Sequence, residues 1–419
     1  MPTCATILAP GSRALWLPRS CNRWLDSMIP ALEHILENQM QRTKLIVVSK
    51  VRNEGDIIES FSRYALSWCD ELLIWDDGST DDTREILRQL VAEGLPILVN
   101  EGSDYRADTW RTRSVKMIAD LSETAFQSRG ADLVIPLDAD EFLISLDGGS
   151  PRTVLQGVDP KGRHRIRWRT YLCDRAPSEN ATFLPEIYAY YRGPAFTEHF
   201  KVILTRHLYY DCGCFLAEGN HSFVCQREPG PKDELEALRI AHYPIRDPYQ
   251  SITKAVLGEL GFRLVEDRGR AGDQWGDMYT RFKSSGWLSP NDLRELSLLY
   301  EQRLPYVLTE ETKAGIYGPI DVGFSGERIT LKYTDYGMRE KTFLQDLVSG
   351  FEKLTEIAKR EKEVASLRVM SSKRYKVGAA IIDGLTSMRG LMNLPATMAR
   401  LFVDVWRRPP KSKRPKSYY

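Results

Sequence analysis

Three acidic side chains break an apolar run near the middle of the chain. In the stretch DLVIPLDADEFLI, Asp138, Asp140 and Glu141 follow one apolar segment and precede another. Because apolar flanks on both sides predict partial burial, these charges need partners. Two carboxylates two residues apart repel each other unless a cation lies near them, and such oxygen ligands suit Mg²⁺ or Mn²⁺. We therefore predict a metal site at Asp138 and Asp140, where the ion would neutralise a leaving diphosphate.

Two further polar clusters follow apolar segments upstream. Asn53 and Glu54 come shortly after KLIVVS, and Asp76 and Asp77 end ELLIWDD. A glycine, Gly78, follows the double acid and allows a tight backbone turn. A carboxylate in such a turn can accept hydrogen bonds from a base or a ribose. Asp76 and Asp77 are therefore candidates for binding a nucleoside.

The elements that must position these clusters are short strands separated by helix-length segments. The β-branched, apolar segments are 44–49, 71–76, 95–100 and 132–138. Their alternation with amphipathic segments predicts an α/β fold with a mixed, mostly parallel sheet flanked by helices. Ligands of such sheets bind at the carboxyl ends of the strands, so the three clusters would converge there.

Later segments change in character. RHRIRWRTYL and HFKVILTRHLYY predict strands that complete the same domain, and the stretch 248–305 predicts helices. The apolar spacing over 343–366 fits either a surface helix or a coiled coil. The predicted regions are an N-terminal extension (1–43), an α/β domain (44–305), a helical linker region (306–374) and amphipathic helices with a basic tail (375–419).

Composition and charge limit the partners. Lys plus Arg (58) almost equals Asp plus Glu (57), so the net charge of +1 indicates no general attraction to nucleic acid. The amphipathic segment near the C-terminus and the basic tail WRRPPKSKRPKSYY suit an anionic membrane surface, and equally a docking helix with a solvated tail. Seven scattered cysteines without a CxxC pair predict reduced thiols. We accordingly expect a cytoplasmic protein, peripheral at the inner face of the membrane.

Several blocks taken together resemble the family 2 glycosyltransferases of the GT-A fold. They are VVSKVRNEGDIIESF, LLIWDDGSTDDTREIL and PLDADEFLI, and the set is similar to the branch whose metal motif reads Asp-x-Asp-Glu-Phe. KVIL, EGNHSF and AHYPIRDPYQSITKAVLG match later blocks of that branch in order. The resemblance spans residues 44–260 and implies a Rossmann-like GT-A domain with a nucleotide-sugar donor.

The resemblance also implies roles for individual residues. Those implied around the nucleoside are Asn53, Glu54, Asp76 and Asp77. Those implied at the metal and diphosphate are Asp138, Asp140, His242 and, nearby, His221. Arg246 and Lys254 follow in the same block as His242 and would pair with the diphosphate, unless they are surface charges.

The catalytic base is less clearly indicated. Inverting transfer requires a carboxylate that takes the proton of the acceptor hydroxyl. The Glu-Asp-type motif that supplies it in many family 2 enzymes has no clear copy here. Glu198, in FTEHF, is the candidate because it precedes a matched strand, and Asp211 and Glu218 remain open.

These observations predict a metal-dependent, inverting glycosyltransferase acting on a glycan or lipid-linked acceptor in surface polysaccharide biosynthesis. A nucleotidyltransferase is an alternative, although the expected glycine-rich phosphate loop is replaced by SKVRNEGD. A haloacid-type phosphatase would carry its Asp-x-Asp motif after the first strand rather than the fourth. A non-catalytic carbohydrate-binding or scaffold protein on a GT-A fold is a further alternative, which the intact acids disfavour.

Overall fold

The computed structural model describes residues 42–102, 110–171, 191–192, 200–263, 273–299, 316–317, 329–335 and 338–371. Within these ranges the chain is an α/β structure with mixed sheets flanked by helices. The predicted N-terminal extension, up to residue 41, and the predicted amphipathic helices and basic tail lie outside the described residues.

The described strands are β1 (Leu45–Val51), β2 (Glu71–Asp76), β3 (Ile97–Glu101), β4 (Leu133–Pro136), β5 (Glu141–Ser145), β6 (Arg163–Thr170), β7 (Tyr191–Arg192), β8 (Phe200–Val202), β9 (Leu204–Thr205), β10 (Phe215–Leu216), β11 (Phe223–Val224), β12 (Lys232–Glu234), β13 (Leu238–His242) and β14 (Ile316–Tyr317). The described α-helices are α1 (Ile58–Trp68), α2 (Thr83–Ala92), α3 (Trp110–Glu123), α4 (Pro151–Gln156), α5 (Arg206–Tyr210), α6 (Pro248–Arg263), α7 (Asp273–Ser285), α8 (Pro290–Leu299) and α9 (Met338–Ser371).

The first sheet has the order β3-β2-β1-β4-β9, and all its pairs are parallel except β4 with β9. Alternate side chains of β1 enter two separate cores. Leu45 and Val47 pack with α1 and α2, whereas Ile46 and Val48 pack with α3. Burial on both faces explains why these strands are continuously apolar. The four predicted strands are therefore confirmed as β1 to β4.

The second sheet has the order β12-β6-β13-β5, with β8 paired to β6. Strand β13 runs antiparallel to β5, and this register places His242 opposite Glu141. The prediction of a strand in RHRIRWRTYL is confirmed as β6. The prediction for HFKVILTRHLYY is partly wrong, because its second half is the helix α5. The hydroxyl of Thr205 accepts the N–H of Leu208 at 3.2 Å and so caps that helix.

The helical prediction downstream is confirmed where the structure describes it, as α6, α7 and α8. The long helix α9 packs along α6, and its residues Phe343 and Leu347 contact the buried core that α6 shares with both sheets. The segment 332–334, which precedes α9, is held by the buried carboxylate of Glu59. It accepts the backbone N–H of Lys332, Tyr333 and Thr334 at 2.8 to 2.9 Å.

The prediction of reduced thiols is wrong for one pair. Cys214 and Cys225, 11 residues apart, form a disulfide across the β10–β11 hairpin. The hairpin brings them together, and their spacing in sequence gave no sign of it. Cys69 and Cys212 are buried free thiols. The cysteines therefore do not support a reducing, cytoplasmic compartment.

No helix in the described part of the chain is both long enough and apolar enough to span a membrane.

Candidate active site

The acidic turn between β4 and β5 is organised by its third acid. Glu141 is fully buried, and its Oε2 accepts the backbone N–H of Asp138 at 2.9 Å. The ammonium of Lys201, 2% exposed, lies 2.8 Å from Asp138 Oδ2 and 3.3 Å from Glu141 Oε1. Although burial opposes its charge, these two acids raise the pKa of Lys201. Glu141 therefore closes the turn and holds a cation beside Asp138.

Asp140 lies in a second group of charges on the other side of the turn. Its carboxylate is 3.1 Å from Lys254 Nζ, 3.5 Å from Arg246 Nη1 and 3.8 Å from His242 Nε2. Burial by itself would raise the pKa of Asp140, but Lys254, His242 and Arg246 together hold it well below the ordinary value. Asp140 is therefore a carboxylate at neutral pH.

Arg246 joins the loop after β1 to this turn. Its side chain is only 1% exposed and contacts Glu54 and Asp56 as well as Asp140. Lys254 lies 3.4 Å from Glu54, so Glu54 belongs with the acids of the β4–β5 turn. A guanidinium buried among three carboxylates is placed to hold them together, which differs from the direct diphosphate contact predicted for it.

The two predicted histidines occupy different surroundings. His242 is buried against the ring of Trp168, with the ring centres 4.5 Å apart. Burial lowers the pKa of His242 to about 4, although Asp140 and Asp138 oppose the shift, so the imidazole is neutral at pH 7. His221 is exposed, with Nδ1 2.7 Å from the carbonyl oxygen of Phe200. The structure thus brings His242 to the acidic turn, whereas His221 contacts Trp168 in an edge-to-face arrangement with the ring centres 5.1 Å apart.

The donor types at this turn fit a divalent ion. Asp138 and Asp140 supply the carboxylate oxygens that Mn²⁺ and Mg²⁺ sites use, and His242 supplies a neutral imidazole, which can ligate a divalent ion but suits transition metals better than Mg²⁺. Among the residues that the structure describes, however, no group of three or more His, Cys, Asp or Glu is gathered as a set of metal ligands. The lysines Lys201 and Lys254 instead neutralise the two aspartates. A bound ion would take over that role.

The predicted nucleoside cluster lies at the neighbouring strand ends. Asn53 has the left-handed φ of 53°, which asparagine tolerates better than most residues. Its Oδ1 accepts the N–H of Thr80 at 2.8 Å, and its own N–H donates to Ser79 Oγ at 2.9 Å. Asn53 therefore ties the loop after β1 to the loop after β2.

The two acids at the end of β2 make different contacts. Asp76 is fully buried, where it accepts the N–H of Ser79 and the Nε of Arg84. Asp77 contacts Arg113, and its Oδ1 lies 3.1 Å from Nζ of Lys353, a residue of α9. The turn after it uses Gly78 at φ 78°, as the sequence predicts.

A cleft of about 520 Å³ opens beside Asp77 at the carboxyl ends of β1, β2 and β3. Its described lining carries five basic and three acidic side chains. They are Arg52, Arg84, Arg113, Lys353 and Arg360, with Asp77, Glu101 and Glu356. The surplus of positive charge suits an anionic ligand.

Comparison with known proteins adds no assignment. No protein-family model matches the chain. No curated protein is significantly similar to it in sequence. The chemistry of the site must therefore be argued from the residues themselves.

Some site residues were not predicted. Lys201 is the first residue of the KVIL block. A lysine at the start of an apolar strand could have been recognised as a candidate, because a buried ammonium needs acidic partners. Arg113 and Lys353 reach Asp77 from helices that no motif connects with it. The predicted base Glu198 lies outside the described residues.

Lys353 predicts a specific dependence of stability on pH. Burial lowers its pKa to about 7 from the ordinary 10.5, with Arg52 and Arg113 adding to the effect and Asp77 opposing it. Glu356 and Arg360 of the same helix line the same cleft. Between these pH values the unfolded chain binds a proton that the folded chain has lost, so Lys353 makes the free energy of unfolding increase as pH rises.

This dependence can be isolated by urea unfolding at pH 7 and pH 10. We expect the increase in unfolding free energy to be larger for the wild type than for Lys353→Met. Lys359→Met removes an exposed lysine of the same helix and should behave as the wild type. An equal increase in wild type and Lys353→Met would contradict the titration assigned to Lys353.

Proposed function

We propose that the protein is a metal-dependent glycosyltransferase of GT-A type, related to family 2, that transfers a sugar from a nucleotide-sugar donor. The observation that carries the proposal is the position of two clusters on one sheet edge. Asp138 and Asp140 lie past the end of β4, with His242 of β13 beside Asp140, and Asp77 lies past the end of β2 beside a positively charged cleft. This is the edge at which parallel α/β sheets bind nucleotides.

The residues of the acidic turn have distinct parts in this proposal. Asp138, Asp140 and neutral His242 would hold Mn²⁺ or Mg²⁺, and the bound ion supplies positive charge for the leaving diphosphate. Lys254 of α6 contacts Asp140 of this turn, has a quarter of its side chain exposed, and would pair with a phosphate oxygen. Arg246 keeps Glu54, Asp56 and Asp140 in place.

The acceptor side of the proposal rests on family resemblance. A glycan or lipid-linked acceptor, surface polysaccharide synthesis and an inverting outcome are implied by that resemblance. Glu198 is proposed as base only because it precedes the matched KVIL strand. A peripheral location at the cytoplasmic face now depends on the resemblance and the basic tail, since the disulfide has removed the cysteine argument.

A thermal-shift panel tests donor recognition without an acceptor. The full chain is heated with UDP-, GDP-, CMP- and dTDP-sugars, each with and without Mn²⁺. A ligand that binds the native state raises the melting temperature by mass action, by an amount corresponding to about 2.7 kcal/mol at a hundred times its Kd. We expect one nucleotide class to stabilise the protein only with Mn²⁺. A folded protein that responds to no donor would contradict the proposal.

One observation favours a second candidate. Lys201 and Lys254 already neutralise the aspartates, as in a protein that binds sugar nucleotides or carbohydrate without a metal and without catalysis. In the same panel this alternative predicts stabilisation by a donor that is unaffected by Mn²⁺.

A further inference from the structure

Cys212, a free thiol just after α5, has a histidine and an acid beside it. Its Sγ lies 3.7 Å from Nε2 of His207, and Nδ1 of His207 lies 2.7 Å from Oδ2 of Asp211. A carboxylate accepts the Nδ1 proton of a neutral imidazole, which leaves Nε2 as an acceptor for the thiol proton. The three side chains therefore have the order of nucleophile, base and orienting acid that activates a cysteine.

Helix α5 and the residues after it produce this arrangement. His207 and Asp211 are four residues apart and so lie on the same helical face. The N–H of Asp211 and that of Cys212 both donate to the carbonyl oxygen of His207, at 2.9 and 3.3 Å. Cys212 is 6% exposed, whereas 31% of the His207 side chain is open to solvent. The thiol is therefore covered, while its base can exchange protons with water.

The covered thiol lies next to a disulfide. Gly213, at the left-handed φ of 59°, turns the chain between Cys212 and Cys214, and Cys214 is bonded to Cys225. The carbonyl oxygen of Cys212 accepts the N–H of Gln226, the residue after Cys225, at 3.1 Å. The backbone thus holds Cys212 close to both halves of the disulfide.

Cys69, the second free thiol in the described part of the chain, has different surroundings. Its Sγ lies 3.3 Å from the carbonyl oxygen of Glu71, and burial raises the pKa of the Cys69 thiol. A thiol that keeps its proton is a poor nucleophile. The neighbouring base therefore distinguishes Cys212 from a thiol that only fills the core.

We propose that Cys212, with His207 as its base, is a nucleophile for thiol–disulfide exchange, and that its substrate is the neighbouring disulfide. Nε2 of His207 takes the proton of Cys212, and the thiolate attacks Sγ of Cys225. The Cys212–Cys225 bond forms as the Cys214–Cys225 bond breaks. Cys214 leaves as a thiolate and regains the proton from the imidazolium. One disulfide replaces another, so the step needs no oxidant or reductant.

Disulfide mapping of the full chain tests this exchange. The folded protein is kept at pH 7 under nitrogen with iodoacetamide, which traps each thiol as it is set free. Samples taken at successive times are digested and mapped by mass spectrometry without reduction. We expect chains with alkylated Cys214 and a Cys212–Cys225 disulfide to accumulate.

Variants of the base give the second part of the test. At pH 7 an unassisted thiol is only about 3% thiolate, so His207→Gln should slow the accumulation at least about tenfold. At pH 9 the solution itself supplies the thiolate, and the rate of this variant should approach that of the wild type. Glu228→Gln, an exposed change near Cys225, should leave the rate unchanged. Asp211→Asn, at a side chain 66% exposed, replaces His207→Gln if the latter does not fold.

The inference is independent of the proposed function, because none of these residues belongs to the candidate active site. A folded wild type that shows only the Cys214–Cys225 disulfide at every time overturns it. So does a wild type in which Cys214 and Cys225 are both free thiols. Equal rates for the wild type and the His207 variant at pH 7, or a variant that stays slow at pH 9, overturn the role of His207 as base.

Discussion

Asp140→Asn should reduce metal-dependent release of nucleoside diphosphate from the donor by at least about 100-fold, the usual scale for losing one electrostatic stabiliser. The substitution keeps the shape of the side chain and removes its charge. It leaves the neighbouring Lys254 and His242 with one acid fewer and weakens any metal held there. The measurement is nucleoside diphosphate release with and without Mn²⁺, well below the melting temperature.

A stability effect must be separated from this loss of activity. Asp138→Asn is a second test, because the Asp138 side chain is 48% exposed and its neutralisation should disturb the fold less. Glu228→Gln removes a charge from the exposed surface and should leave release unchanged. Wild-type release by a folded Asp140→Asn protein would refute the metal assignment.

Arg246→Met should lower the free energy of unfolding by about 3–5 kcal/mol, the range found when one partner of a buried ion pair is removed. The guanidinium contacts Glu54, Asp56 and Asp140, and all three acids are buried. Without it, their charges repel one another in a region of low water content. Such a loss is a large part of the stability of a typical domain, about 5–15 kcal/mol.

Urea unfolding followed by far-UV circular dichroism measures this effect at pH 7. Arg88→Met is a matched control, since Arg88 pairs with Glu85 on the surface of α2 and is 68% exposed. Exposed pairs contribute about 0–1 kcal/mol, so this control should remain near the wild type. Equal stability of the Arg246 and Arg88 variants would show that the buried cluster does not depend on its arginine.

The parallel sheet was predictable because strands that are buried on both faces are continuously apolar in sequence. The segments that became β1 to β4 are short, apolar and β-branched, and their ends place the acids on one edge. Partial burial of the β4–β5 turn was also predicted, from three acids with apolar flanks, and the structure buries Asp140 and Glu141. The role of Glu141, which closes that turn, depends on a hydrogen bond to Asp138 that spacing does not show.

Contacts between distant parts of the chain were not predictable in the same way. Arg246 was predicted to pair with the diphosphate or to be a surface charge, whereas in the structure it is buried and contacts Glu54 and Asp56 of the loop after β1. Lys353 lies on a helix whose apolar spacing indicated only a surface helix or a coiled coil. The Cys214–Cys225 disulfide likewise depends on a hairpin of two-residue strands, too short to give a periodic signal.

Release of nucleoside diphosphate from nucleotide sugars by the purified full chain tests the central claim most directly. Slow transfer of the sugar to water makes the measurement possible without a known acceptor. The account predicts release from one nucleotide class, dependent on Mn²⁺ or Mg²⁺ and lost in Asp140→Asn. Binding of a nucleotide sugar with no release under any metal condition would contradict the claim and favour the non-catalytic alternative.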